Sequence, residues 1–479
     1  MPPQTMPDER LLTVNTAGPA SVASSRRTAP RARAWWFFLP AAFCVLAVIV
    51  YWPGSLGADA TINWYGARFA TIKLGQPAFI SLVWRGFDRI YPNPGLMLAL
   101  ELLTFWLAVS WLLRSLRPAW HLALLVCVVF AAYPLLIAHS ALIVKDVVAG
   151  NCGLLAFCML LGYAQSRHRW RLVLAAFILF SLAGLFRFQL WVTSVPALIA
   201  VLAYDVREAA TLRVILLRGV VAVSALALPV LIAQLLISQT FQFDATVTGL
   251  QVRMMMYDDI GAVLHAHPDA PLTEFDRVGA NTDGLRTSSK NLFSLERVDP
   301  LWKPFDRDLV GVGNAEVRQQ WLELLRIYPG VFLWHRLESF ARLLGITGRT
   351  TCSPLLTVGF SHSPPALWRS LNADGLRESY ATSILRWRYF PANTILFRPV
   401  LYLGLSILLI GTMAVRKRVQ IFPSAMIAAA WLYWATYLPD PIACDVRYSY
   451  FSCVSIITAA LYMMLRNLRP DSDAMHVAV

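Results

Sequence analysis

The sequence predicts an all-α integral membrane protein with about ten transmembrane helices, interfacial helices and a large mixed extracytoplasmic loop, and three observations carry that prediction. The composition is 57% hydrophobic with only 15% charged residues. The apolar residues come in blocks of roughly 20, the length that a hydrocarbon core of about 30 Å requires. Between the blocks, alternate connections are rich in arginine, the bias that keeps a loop in the cytoplasm.

Taken in order, residues 1–34 are polar, hold Arg10, Arg26, Arg27, Arg31 and Arg33, and read as a disordered basic cytoplasmic tail. The block from Trp35 to Trp52 begins with bulky aromatics and lacks a small-residue cleavage site, so it is expected to be a retained span rather than a signal peptide. Further spans are expected at 94–113, 119–138, 147–164, 171–186, 190–204, 214–237, 395–415, 420–438 and 449–465. The basic connections are Arg114 and Arg117; Arg167, Arg169 and Arg171; Arg207, Arg213 and Arg218; Arg416, Lys417 and Arg418; and Arg466 with Arg469. They place both termini in the cytoplasm. The net charge of +14 is thus accounted for by orientation in a membrane, and nucleic-acid binding is not expected.

The resulting organisation is an N-terminal transmembrane module (35–238) with a first extracytoplasmic loop at 53–93, a large extracytoplasmic segment (239–394), C-terminal transmembrane helices (395–466) and a short cytoplasmic tail (467–479). Within the large segment, Val317, Trp321, Leu324, Leu325 and Tyr328 recur at helical spacing. Pro329 then interrupts, and Phe332, Leu333, Leu337 and Phe340 resume. His335, Arg336, Glu338 and Arg342 argue against a span there, since central charges cost roughly 2.5–3.5 kcal/mol each on insertion. This helix pair is expected to lie on the membrane surface or to pack against the bundle. Cys352 and Cys444 both fall on the outer side, where a disulfide between them is compatible with an oxidising compartment.

Ionisable residues concentrate where outward loops meet spans, a position that perturbs them. Asp59 follows the first span and precedes an amphipathic stretch with Phe69, Ile72, Phe79, Leu82, Val83 and Trp84; it fits a catalytic acid or a helix N-cap. Lys145 and Asp146 stand at the mouth of the fourth span, as a phosphate-binding cation beside an acid-base group or as a local ion pair with a cap. Arg187 stands nearly alone among apolar neighbours, and its guanidinium fork suits a phosphate or a snorkelling contact with headgroups. Asp445, Arg447 and Tyr448 form a polar group before the last span. Glu101, inside the second span, is expected to face the interior as the partner of a cation or part of a polar path.

Trp52-Pro53-Gly54 with Asp59, the Lys145-Asp146 pair, Arg187, Met256-Tyr257-Asp258-Asp259-Ile260, the Tyr328-Pro329 turn with His335-Arg336-Leu337, and Arg447-Tyr448 together resemble, in order along most of the chain, the bacterial membrane glycosyltransferases of the GT-C type. The layout is similar to that of the mannosyltransferase and aminoarabinose-transferase families. The resemblance implies an enzyme of the bacterial cytoplasmic (inner) membrane that uses a polyprenyl-phosphate-linked sugar at the outer face, with a membrane lipid, glycan or protein acceptor. It maps the catalytic base to Asp59, a second acid to Asp146, and phosphate contacts to Lys145, Arg187 and Arg447. Asp59 lacks the adjacent acid of several relatives, so the residues do not indicate a divalent metal cofactor. Two other classes place charges in a helical bundle: a polytopic transporter or lipid flippase, which internal repeats would mark, and a noncatalytic envelope-assembly protein.

Overall fold

The structure is a computed structural model that describes residues 35–72, 77–243, 250–295, 299–347, 395–416, 419–439 and 444–467. The expected basic tail, Cys352, Lys417, Arg418 and the C-terminal tail from 468 onward lie outside the described residues. Apart from Trp35, every element below belongs to the compact unit that runs from Trp36 onward.

The first apolar block forms α1 (Trp35–Tyr51). Gly54, at φ +92°, turns the chain into the two-residue strand β1 (Ser55–Leu56). A side chain there would strain the backbone and meet Ile143 at 2.9 Å. The first loop then makes α2 (Ala58–Phe69), β2 (Thr71–Ile72) and α3 (Ala78–Ile90). α3 takes up the expected amphipathic stretch only from Phe79 onward, since Phe69 ends α2 and Ile72 lies in β2; Ile80, Ser81 and Trp84 are on its buried face.

The long apolar helices follow. They are α4 (Gly95–Leu116), α5 (Trp120–Ala132), α6 (Pro134–Ser140), α7 (Lys145–Leu161), α8 (Arg169–Phe186), α9 (Ser194–Arg207) and α10 (Leu212–Thr240), with β3 (Leu142–Ile143) before α7 and β4 (Gln242–Phe243) after α10. The block expected as one span at 119–138 is instead two helices bent by 65°. Pro134 is the cause: it has no N–H to continue the ladder of α5 and is well suited to start a new helix. α7 is apolar nearly all round and buried along its whole length. It packs mainly against α4, α8 and the last helix, Tyr450–Asn467; Gly150 and Gly153 lie against Tyr450 and Phe451 of that helix, and small residues of this kind let helices approach closely in a membrane.

The segment expected on the outer side folds as α11 (Leu250–Ala266), α12 (Thr273–Arg277), α13 (Thr282–Leu292), α14 (Asp299–Asp308), α15 (Asn314–Ile327) and α16 (Pro329–Leu344). These helices have a core of their own around Tyr257, Phe275, Leu301, Phe305 and Leu324. The expected pair about Pro329 is α15 and α16, and α16 packs against the bundle. Its first half contributes Phe332 to the outer core, and its last turn puts Leu343 and Leu344 into the main one.

The chain returns through α17 (Pro399–Val415), α18 (Ile421–Ala435) and α19 (Tyr450–Asn467). Among the described residues six helical stretches are long and apolar enough to cross a bilayer, and the bent pair α5/α6 makes up to seven. α1, α17 and α18 coincide with the remaining expected blocks and are shorter; 15 residues of α18 cover only ~23 Å at 1.5 Å per residue. The chain is therefore a helical membrane protein. Cys44, Cys127, Cys152, Cys158 and Cys453 are free and buried, as packing residues should be. Cys444 is disulfide-bonded.

Candidate functional site

Two short parallel strand pairs tie the first loop to distant parts of the chain. Thr71 and Ile72 pair with Gln242 and Phe243. Ser55 and Leu56 pair with Leu142 and Ile143, and this second pairing builds the site. Four residues on from Ser55 is Asp59, and four residues on from its partner Leu142 is Asp146. The register thus sets both acids at equivalent positions, each the second residue of a helix that starts just past the bridge.

Neither acid is the N-cap that the sequence allowed; Gly57 and Val144 hold those places. Both instead lie in the first turn, where the unpaired backbone N–H groups favour negative charge. Each carboxylate meets an arginine brought from elsewhere in the chain. Arg447 Nη1 donates to Asp59 Oδ2 at 3.1 Å, and its Nε lies 3.1 Å from Asp445 Oδ2. Arg187 Nη1 lies 2.8 Å from Asp146 Oδ1. Arg187, which stands alone among apolar neighbours in the sequence, thus has its acid in Asp146, across the bundle. Sequence spacing gave no hint of it.

A tyrosine wall closes the centre. The Tyr448 ring is 4.8 Å from the guanidinium of Arg187 and 4.9 Å from that of Arg447, within cation–π range of both. Arg187 donates to the Tyr437 hydroxyl at 3.1 Å, and Tyr437 shares a 2.8 Å hydrogen bond with Tyr433. Tyr433 and Tyr437 do not stand out in the sequence, because tyrosines in an apolar block read as ordinary span residues. Arg187 reaches this position from the break between α8 and the turn Phe188–Thr193. Gly184 makes the break tight: a Cβ there would fall 1.0 Å from Trp191.

Burial by itself would push the Asp59 carboxyl up. The charges of Arg447, Lys145 and Arg187 more than reverse that and hold it below the usual carboxylate range. Lys145 is buried beside the acids. Of the expected site residues, Glu101 is the one set apart. It is buried in α4 near the Val144 amide, with neither carboxyl oxygen in hydrogen-bond geometry to a partner among the described residues. Its neighbours are Asn151, whose side chain donates to the Glu101 carbonyl at 3.1 Å, and Tyr450, which donates to Asn151 at 2.8 Å. The expected cation partner for Glu101 is not found among the described residues.

A second polar cluster lies in the outward helices. His335 Nε2 is 3.0 Å from Asp258 Oδ2, while Arg336 and Trp321 both donate to Asp259 Oδ2, Trp321 at 2.8 Å. It clamps α16 and α15 to α11. α16 in turn touches the turn Val446–Ser449 that carries Arg447 and Tyr448. Among the described residues no group of three His, Cys, Asp or Glu side chains is disposed to hold a metal ion.

Compared with protein-family models, with curated proteins and with solved structures, the chain gives no match. What the fold and the site define is a helical membrane protein with a buried centre of paired carboxylates and arginines at the N-terminal end of its central helix.

Proposed function

We propose that this protein is a membrane glycosyltransferase that moves a sugar from a polyprenyl-phosphate donor to an envelope glycan, lipid or protein acceptor at the outer face of the cytoplasmic membrane. The observation that carries the reading is the register-matched placement of Asp59 and Asp146, each beside an arginine, where the first loop meets α7.

The charge balance suits a phosphodiester. Asp59, Asp146 and Asp445 face Lys145, Arg187 and Arg447, three against three, and the two helix N-termini add roughly +0.5 each. The centre thus holds an excess of about one positive charge, matching a singly charged phosphodiester. In the proposed reaction the acceptor hydroxyl attacks the anomeric carbon and Asp59 takes its proton. The bond from that carbon to the phosphate oxygen breaks with its electron pair, and the polyprenyl phosphate leaves against Arg187 and Arg447. Attack from the face opposite the departing phosphate inverts the anomeric centre.

The depressed pKa of Asp59 keeps it ionised but makes it a weak base. Donor phosphate competes for Arg447 and would relieve part of that depression, so base strength rises when the donor is bound. The test is release of polyprenyl phosphate by purified protein in proteoliposomes. It uses a panel of radiolabelled polyprenyl-phosphate hexoses and an envelope extract as acceptor, beside glycan profiling of a deletion strain. Donor-dependent sugar transfer is expected; no turnover with any donor and unchanged glycans would end this reading.

A further inference from the structure

The end of the bundle opposite the Asp59–Asp146 centre carries a second polar feature. α7 starts at that centre and runs 17 residues, ~25 Å at 1.5 Å per residue, to Gly162 and the turn Tyr163–Gln165. There a cavity of about 80 Å³ is lined by Trp111, Arg114, Ser115 and Arg117 of the α4 terminus and by Gly162, Gln165, Ser166 and Leu172.

Among the described residues no acid lines this cavity, and neither Arg114 nor Arg117 makes an ion pair. The buried acid in the same region, Asp205, is already engaged by Arg218 and by Tyr163 at 3.0 Å. The floor is built: Ser115 is buried, its hydroxyl donates to Trp111, and Gln165 Nε2 donates to the Ser115 carbonyl at 3.1 Å. Arg114 lies over the Trp111 ring at 4.5 Å.

The approach to the cavity is apolar. Leu103, Leu107, Trp111 and Arg114 follow one another at spacings of four, four and three along α4, which is one helical stripe. Leu103 and Leu107 are 49% and 38% exposed on that stripe. An exposed leucine track inside a membrane span, ending at an indole and two guanidiniums that have no ion-pair partner among the described residues, has the profile of an acyl chain joined to a charged headgroup. A free phosphate would use the guanidiniums and leave the track idle. We propose that this cavity binds the phosphodiester headgroup of an anionic membrane lipid, with an acyl chain along Leu103 and Leu107.

The test uses full-length purified protein titrated with short-chain phosphatidylglycerol, short-chain phosphatidylcholine and inorganic phosphate. Phosphatidylglycerol is expected to bind at least tenfold more tightly than either comparator. Arg114→Gln/Arg117→Gln should lose at least tenfold of that affinity, whereas Arg213→Gln/Arg416→Gln, which removes two charges at the ends of other helices, should keep it. Equal loss in both double variants would mean general surface attraction and overturn the proposal, as would equal affinity for inorganic phosphate or phosphatidylcholine. Photoactivatable phosphatidylglycerol supplies a reading on the unaltered protein: crosslinks should map to residues 103–117 and 162–172, and crosslinks confined elsewhere would refute the site.

Discussion

Arg447 reaches Asp59 across 388 residues of sequence, with Nη1 3.1 Å from Oδ2. The pair joins the first outward loop to the entry of the last span, and the ionisation of the proposed base depends on it. Removing Arg447 takes away the largest charge opposing burial, so the carboxyl should rise. Arg447→Gln is expected to move the acid limb of the kcat/KM profile to higher pH as well as to lower its plateau. An unmoved limb would show that the pair does not set the base. The sign for stability is the usual one for a depressed carboxyl: the pair stabilises the fold above about pH 3.9, and that contribution fades as pH falls through the lower folded value.

Asp59 and Asp146 should separate chemistry from stability. The Asp59 side chain is 29% exposed, whereas Asp146 is 1% exposed against an Arg187 at 10%. Asp59→Asn keeps size and hydrogen bonding, so it should insert and fold normally and lose turnover by about two orders of magnitude or more. Asp146→Asn strands a buried guanidinium, a change that costs about 3–5 kcal/mol in comparable buried pairs, so its thermal midpoint in detergent should fall well below that of Asp59→Asn. Near-normal transfer by Asp59→Asn would exclude it as the base. Equal midpoints would place Arg187 in water rather than in the core.

The outward cluster yields a test with the opposite pH sign. Burial raises the Asp259 carboxyl even though Arg336, Trp321 and His335 oppose that shift. Arg336→Gln removes the largest opposing charge and should destabilise α11–α16 at neutral pH. A carboxyl with a raised pKa holds its proton more tightly in the fold, so mild acidification should restore part of the loss. Limited proteolysis of the outward helices at pH 7.5 and pH 5.5 reads this directly. Faster cleavage of the variant at the lower pH would contradict it.

The sidedness expected from the basic clusters is directly testable. An alkaline phosphatase fusion near Thr282, at the start of α13, is expected to be active and one at the C-terminus inactive. The reverse pattern would invert the map and place the paired acids on the cytoplasmic side.

Composition and block length made the helical membrane class legible, because a span needs only a local run of apolar residues. α4, α8 and α10 lie close to their expected limits for that reason. The bend at Pro134 was visible as a residue but not as an angle, since proline is tolerated in spans when neighbours satisfy the freed backbone. The site was legible as a set of positions and illegible as a set of partners. Asp59, Asp146, Arg187 and Arg447 each stood out as a charge at the edge of an apolar block. Which acid met which arginine depends on two-residue strands, β1 and β3, that are too short to leave a pattern in the sequence. Tyr437 stayed hidden because nothing in its local run separates a guanidinium contact from a lipid contact.

α16 belongs to two cores at once. Phe332 is packed among the outward helices, Leu343 and Leu344 among the spans, and the helix touches the turn bearing Arg447 and Tyr448. Such a helix acts as a lever with both ends embedded: it cannot tilt at one end without repacking the other. A load placed on α11–α15 is therefore expected to be felt at Arg447, which ties the packing of residues 250–344 to the paired carboxylates and arginines.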